Sequence, residues 1–459
     1  MEGGGNRGTN DSELRARVSI DITRSASSSL RFLSLSSLGA HSSQVDDETE
    51  SESVSEVGDI GDRALHSNRY SASGSFNFLS AEDMKLQSYG FWGRDPAASH
   101  AISTVSPLPE QIISPLSANA IVCNEEKNQA STARIPKLLE YGSCMTHLAV
   151  FGILGVLTRY LLQKLFGPGV AGVTSDQTVL YLDLPSNMVG SFLMGWFGVV
   201  FKADISHRSE FLAIGLTTGY LGSVTTFSGW NQKMLELSVE GHWVFAGLGF
   251  LIGLFLAAYS IIFGVETSKL CRQLLVRSSG SGSASSEKSW RVDNTKRHLT
   301  VLALFLLLLA GLWSMSGILM RQEFNRKSSE TQLWLACIVG PLGVWIRWFL
   351  ARLNGRGLGK TGFLKWIPFG TLIANVSAAC IMAALATVKK GVNSNTCDIV
   401  ATGIQFGFLG CLSTVSTFIA EFNAMRESKY PWRAYIYALV TILTSFCLGT
   451  LIYSVPVWS

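Results

Sequence analysis

Apolar and polar positions divide the chain near residue 140. Before it the sequence is rich in Ser, Gly and Asn, carries the acidic run Asp46-Asp47-Glu48-Thr49-Glu50-Ser51-Glu52, and its apolar clusters keep no sustained period. Such a stretch buries too little apolar surface to offset the entropy of ordering, so residues 1–140 are expected to form a disordered cytoplasmic head. After it come nine apolar segments, 145–166, 179–201, 210–237, 243–264, 299–320, 331–353, 366–388, 398–425 and 432–455. Each is long enough to cross a hydrocarbon core as a helix rising about 1.5 Å per residue.

The third and eighth segments are interrupted. Gly219-Tyr220-Leu221-Gly222-Ser223-Val224-Thr225-Thr226-Phe227-Ser228-Gly229-Trp230 sets glycines and hydroxyls inside an apolar span, and adding 188 reaches Gly407-Phe408-Leu409-Gly410-Cys411-Leu412-Ser413-Thr414-Val415-Ser416-Thr417-Phe418. The same offset aligns Gly155-Val156-Leu157-Thr158-Arg159 with Gly343-Val344-Trp345-Ile346-Arg347, and Asn187 with Asn375. One four-span module is therefore written twice, as 141–265 and 331–459, with a broken third helix in each copy. Between them, 266–330 holds a basic linker and one span, Leu299–Met320, that has no counterpart.

Charge sets the orientation. With the head in the cytosol, the linker bases Lys269, Arg272, Arg277, Lys288, Arg291, Lys296 and Arg297 fall inside, as do Arg352, Arg356, Lys360, Lys365, Arg426, Lys429 and Arg433. That bias favours an inside N-terminus and an outside C-terminus. A single connecting span then forces the second module to insert upside down, giving an all-α membrane protein of two inverted repeats that pair within one chain. A monomer is expected to suffice.

Composition excludes several function classes. The net charge of +4 comes without basic clusters interleaved with aromatics, so no nucleic acid is expected. The eight cysteines form no CxxC pair, and the spans hold no Ser/His/Asp set, metal-ligand cluster or phosphate loop, so an enzyme finds no support. His207, His242 and His298 fall in expected loops as solvated residues. The start Met-Glu-Gly-Gly-Gly shows neither a cleavable signal nor a myristoylation pattern, leaving insertion to the first span.

Four sets of residues carry candidate chemistry. Arg159 and Arg347 lie inside first spans, where a charge needs a partner, water or a route for snorkelling. Asn187 and Asn375 offer amide donors to a small anion or serve as interhelical glue. Gly222 and Gly410 are expected to free carbonyls at the breaks, with Thr225 and Ser413 three residues on; such carbonyls suit a hard monovalent cation, and a water-satisfied kink is the plainer alternative. Tyr437, Thr441 and Ser445 recur every four residues on one face of the last span, whereas the first module has Gly249, Gly253 and Ala257 there.

The pattern Gly-x-x-Gly-x-x-Thr-Thr-Phe-Ser, with Asn in the preceding span and Gly-x-x-x-Arg in the first, resembles the CrcB/Fluc fluoride channels, and the tandem layout resembles their eukaryotic fluoride-export form. The resemblance covers roughly 145–455. It implies passive export of fluoride through a pore between antiparallel modules, with a central structural sodium falling on Gly222, Thr225, Gly410 and Ser413. It assigns the anion path to Asn187, Asn375, Ser228, Ser416, Thr417, Tyr437, Thr441 and Ser445, while Arg159, Arg347 and Glu421 are expected to be structural or vestibular.

The family's two pore phenylalanines map onto Phe227 and Trp230 in the first module and onto Val415 and Phe418 in the second. Because each pore of that family draws one phenylalanine from each module, Phe227 and Phe418 furnish one intact pore, and Trp230 and Val415 fall in a degenerate one. Glu421 is matched by Lys233. A proton-coupled small-anion transporter is the rival reading, since Glu421 and Asp183 could titrate, although both lie near expected span ends or breaks where solvation is easy. The resemblance places the protein in the plasma membrane.

Overall fold

The computed structural model describes residues 137–175, 178–279, 295–325, 330–358 and 362–458, so the head to residue 136 and the linker bases Lys288 and Arg291 lie outside the described residues. The described chain is helical. The first module comprises α1 (Lys137–Phe166), α2 (Leu184–Val200), α3 (Glu210–Ile214, continued by a π segment Gly215–Leu221 and a turn Gly222–Val224), α4 (Phe227–Val239) and α5 (Trp243–Ser279). The connector is α6 (Thr295–Asn325). The second module comprises α7 (Thr331–Leu350), α8 (Phe369–Val392), α9 (Asn395–Ile404, continued by Gln405–Leu409 and Gly410–Leu412), α10 (Ser416–Glu427) and α11 (Trp432–Gly449, continued by the π segment Thr450–Ser454 and Val455–Trp458). Among the described residues seven helices are long and apolar enough to cross a membrane, and Leu184–Val200 is a shorter apolar one.

α1 and α7 form the central contact, and their register fixes its sense. Tyr141 meets Arg352, the Met145 carbonyl accepts from Trp345, Gly152 faces Val344, Val156 faces Gly340 and Tyr160 bonds Glu330. Numbers rise along one helix as they fall along the other, so the pair is antiparallel. Positions 152 and 340 are equivalent under the offset of 188, as are 156 and 344, so each glycine receives the other module's valine and the helices approach closely. That exchange of equivalent contacts is the mark of a two-fold pairing.

The broken helices are shared between modules. α4 packs on α5 of its own module and on α8 and α11 of the other, while α10 packs on α11 of its own module and on α5 of the first. Two lateral faces result, one lined by α4, α8, α10 and α11 and the other by α2, α4, α5 and α10. The connector α6 lies outside against α1 and α7, with only 11% of its apolar window buried, as expected of a helix whose job is to cross rather than to pack.

His298 corrects an expectation. It lies on α6 with 3% of its surface exposed, its ring 5.1 Å from Phe211, so it docks the connector rather than facing water. His147 of α1 adds to this, stacking on Phe305 at 4.0 Å. His207 lies in the short helix Lys202–Arg208, and His242 is an exposed residue ahead of α5.

Candidate functional site at the paired helix breaks

Backbone dihedrals locate the breaks. Thr225 (φ −97°, ψ 148°) and Thr226 (φ −142°, ψ 127°) are extended, as is Ser413 (φ −81°, ψ 159°). Gly222 (φ −67°, ψ −22°) and Gly410 (φ −63°, ψ −27°) keep helical values, which corrects the expectation that these glycines open the helix by their own freedom. Glycine is required there for space. A Cβ at 222 would collide with the guanidinium of Arg347, and one at 410 with that of Arg159.

The arginines do not snorkel. Arg159 (1% exposed) donates to the carbonyl of Phe406 and stacks over its ring, and Arg347 (5% exposed) donates from Nη2 to the carbonyl of Thr218 at 2.8 Å. Thr218 and Phe406 are equivalent positions, so each module sends its arginine to the helix end of the other. Both acceptors lie in the π segments before the breaks, where carbonyl ends collect negative potential that a cation offsets. Gly-x-x-x-Arg follows from one helical turn: Gly155 lies against the Tyr220 carbonyl of its own break and Gly343 against that of Phe408, while the arginine four residues on reaches across.

Beyond the breaks every leading amide is met by a side chain. The amides of Thr226, Phe227, Ser228 and Gly229 donate to Asn187 Oδ1, Ser413 Oγ, Ser413 Oγ and Thr226 Oγ1 at 2.9, 3.2, 3.1 and 3.3 Å. Those of Thr414, Val415, Ser416 and Thr417 donate to Asn375 Oδ1, Thr225 Oγ1, Thr225 Oγ1 and Thr414 Oγ1 at 2.8, 3.2, 3.0 and 3.4 Å. Thr225 and Ser413 therefore cap the helix of the opposite module. In an unbroken helix these amides would bond the carbonyls of Gly222–Thr225 and Gly410–Ser413, which are thereby released beside the two-fold contact.

The two asparagines clamp the breaks. Asn187 Nδ2 donates to the Thr226 carbonyl and to the Tyr181 hydroxyl, both at 3.2 Å, and Asn375 Nδ2 donates to the Thr414 carbonyl at 3.1 Å. Ser228 Oγ and Ser416 Oγ cross the contact to the equivalent carbonyls of Leu409 and Leu221 at 3.3 and 3.1 Å. Thr417 joins the same knot through Thr414, 3.5 Å away.

Symmetry ends at the lateral faces. The rings of Phe227 and Phe418, one from each module, meet edge to face at 6.0 Å, and Phe418 lies 5.2 Å from the ring of Tyr437. Beside them Glu421, fully buried, accepts from the Tyr437 hydroxyl at 2.7 Å, the Thr371 hydroxyl at 2.6 Å and Asn354 at 3.4 Å. This corrects the expectation that Glu421 is easily solvated. Asp183, half-buried, accepts from Gln163 at 2.5 Å, and Lys233 pairs with Glu236 at 3.6 Å. On the other face Trp230 stacks on Tyr181 at 6.0 Å, donates to the Gly249 carbonyl at 3.3 Å and presses its ring where a Cβ of Gly253 would stand. Gly253, which stands where the other module has Thr441, is what admits the indole, while the space at Gly249 is taken by Met234.

Residues 146–265 and 334–452 each match the family described as "CrcB-like protein, Camphor Resistance (CrcB)". The chain belongs to the CrcB-like family. It is similar to "Fluoride export protein 1" of Saccharomyces cerevisiae, 26% identical over 366 residues that cover 68% of this chain and 92% of the relative. One module's length is similar to "Fluoride-specific ion channel FluC" of Geobacter metallireducens, 31% identical over 122 residues, 27% of this chain and 94% of the relative. No solved structure matches.

Within this CrcB-like chain the predicted residues separate into two groups. Gly222, Thr225, Gly410, Ser413, Asn187, Asn375, Ser228, Ser416, Thr417 and both arginines gather at the two-fold contact. Phe227, Phe418, Glu421, Tyr437, Thr441 and Ser445 gather on one lateral face. Sequence reasoning missed Thr371 and Asn354, which hold Glu421; the offset of 188 sets Thr371 against Asp183, an inequality at an otherwise conserved register that could have flagged it. Asn231 was also missed, although the same offset sets this amide against Ile419.

Proposed function

We propose that this chain is a fluoride-selective channel that exports cytosolic fluoride passively and so confers fluoride tolerance. The names of the relatives support fluoride as the ion, and the edge-to-face pair Phe227–Phe418 beside the Tyr437, Thr441 and Ser445 face is the observation that carries the path. Ring edges are the positive part of the aromatic quadrupole, so two edges with the free Ser445 hydroxyl at the end of that face can take over from water around a small anion. Trp230 closes the opposite face, leaving one working pore. The antiparallel α1–α7 contact supports nine spans in two inverted repeats, with the N-terminus inside and the C-terminus outside a plasma membrane.

The residues at the breaks fit a central sodium. Gly222, Thr225, Gly410 and Ser413 would hold it through their released carbonyls, and the ion would supply a fixed charge that joins the modules. The amides N-terminal to α4 and α10 are meanwhile covered by hydroxyls and asparagines of this chain, so the anion meets side-chain donors rather than helix ends. Export needs no coupled energy, because HF enters from acid, dissociates inside, and an inside-negative potential moves the anion out with about 2.3 kcal/mol per charge per 100 mV.

Efflux from proteoliposomes tests this. The parent releases fluoride and not chloride, Phe227→Ile and Phe418→Ile abolish release, and Trp230→Ile spares it; equal damage by all three refutes the single pore. A second reading, proton-coupled transport, draws on buried Glu421. It requires that release follow an imposed pH gradient at zero membrane potential and that Glu421→Gln abolish that dependence.

A further inference from the structure

Four polar side chains on the Phe227–Phe418 face bear on how an anion leaves the phenylalanine pair. The Tyr437 hydroxyl donates to Glu421 and the Thr441 hydroxyl to the Tyr437 carbonyl at 2.8 Å, so both protons are committed. Ser445 Oγ, by contrast, is buried and has no partner among the described residues. The same holds for both polar atoms of Asn231, which is 0% exposed on α4, one turn beyond Phe227. Its Nδ2 lies 3.3 Å from where a Cβ of Gly449 would stand, on the next turn of α11 after Ser445.

The face does not stop there. A π turn takes an extra residue, so the row 437, 441, 445, 449 continues through Thr450–Ser454 to Ser454, whose hydroxyl is buried and again has no partner among the described residues. α4 packs against this π segment, and Asn231 lies against Gly449, the position between Ser445 and Ser454 on that row of the other module. An unpartnered buried amide is costly to keep, and a structure that keeps one on the same face as the two free hydroxyls of Ser445 and Ser454 has use for its donors.

We infer that Asn231, with Ser445, forms an anion-binding station on the far side of the phenylalanine pair, its amide N–H groups and the serine hydroxyl receiving a desolvated halide-sized anion. The inference rests on the channel reading above. It makes the path a composite: ring edges from both modules, the Ser445 hydroxyl from α11 and an amide from α4. Position 419, the counterpart of Asn231, is an isoleucine and offers the opposite face no such donor.

Asn231→Leu keeps the side chain's size and removes both donors, and it separates a binding role from a structural one. The full-length chain, reconstituted, is expected to lose fluoride efflux by about tenfold or more, the worth of one hydrogen bond to a charged group. At the same time its melting temperature in detergent should rise, because an unpartnered amide has left the interior. Asn231→Asp, which puts an acceptor in place of the donors, should lose efflux as well. Efflux by Asn231→Leu within twofold of the parent overturns the inference, and so does a fall in melting temperature matched to the fall in efflux. A parent that releases no fluoride instead sinks the channel reading beneath it, so the two failures are told apart by the parent alone.

Discussion

Arg347 and Gly222 belong to different modules, and the guanidinium fills the space that a Cβ at 222 would need, so their effects on stability must be coupled. Alanine in a helix is favoured over glycine by about 1 kcal/mol, and Gly222 has helical dihedrals, so Gly222→Ala would stabilise if space allowed. It does not, because the added Cβ meets a guanidinium fixed by its bond to the Thr218 carbonyl. Overpacking of that kind costs about 1–3 kcal/mol, with the upper end expected where the obstacle is buried and held. Arg347→Ala removes the obstacle together with a charged hydrogen bond, worth about 1.5–3 kcal/mol. Each single change should therefore lower stability, whereas adding Gly222→Ala to Arg347→Ala should raise it by about 1 kcal/mol. Thermal unfolding of the purified chain in detergent, read by loss of the monomer peak, gives the cycle. Gly410 and Arg159 should repeat the result, and crossing Gly222→Ala with Arg159→Ala should give additive effects. If Gly222→Ala costs the same with and without Arg347, the close approach is not what selects glycine.

Asn375→Ala strips the clamp from the Thr414 amide and carbonyl and should cost about 2–4 kcal/mol, read in the same unfolding assay; a change under about 0.5 kcal/mol, the range of a surface substitution, would show that water replaces it. Trp230→Ala leaves a cavity between Tyr181, Phe250 and Gly253 and should cost about 3–5 kcal/mol while fluoride efflux continues. Loss of efflux in folded Trp230→Ala would place the conducting path on the other face. Exchanging sodium for a large organic cation should lower both melting temperature and efflux, with recovery on its return; indifference to sodium would leave the released carbonyls to water.

The constant offset of 188 makes the modules, the breaks and the paired Arg, Gly and Asn positions readable in the sequence, because equivalent residues in a duplicated fold meet equivalent demands. What it could not reveal is which copy each residue serves. Arg159 is written in the first module and works at the helix end of the second, and Thr225 caps α10 rather than α4. A repeat in sequence looks the same whether its contacts stay within a module or cross. Glycine at 222 was legible as a requirement but not as a spatial one, since a missing Cβ serves backbone freedom and close approach alike. Glu421 seemed solvated because its distance along the helix says nothing of Thr371 and Asn354, brought to it from a helix start and a loop many residues earlier.

Where symmetry is kept and where it is lost is itself informative. Along the α1–α7 axis a residue meets the equivalent of its own neighbour, so a change on one side has a matching partner to disturb on the other. The arginines, capping hydroxyls and asparagines are retained there as pairs. On the lateral faces α4 and α10 look onto different helices, and a residue in one copy need not match its counterpart. In a dimer of identical chains a tryptophan that fills one face would fill both, and a glutamate held by three donors would appear twice. Joining the modules through α6 removes that constraint. Trp230 against Gly253, and Glu421 with Tyr437, can then occupy opposite faces of one molecule, so in the proposed channel one face is given to packing and the other to passage.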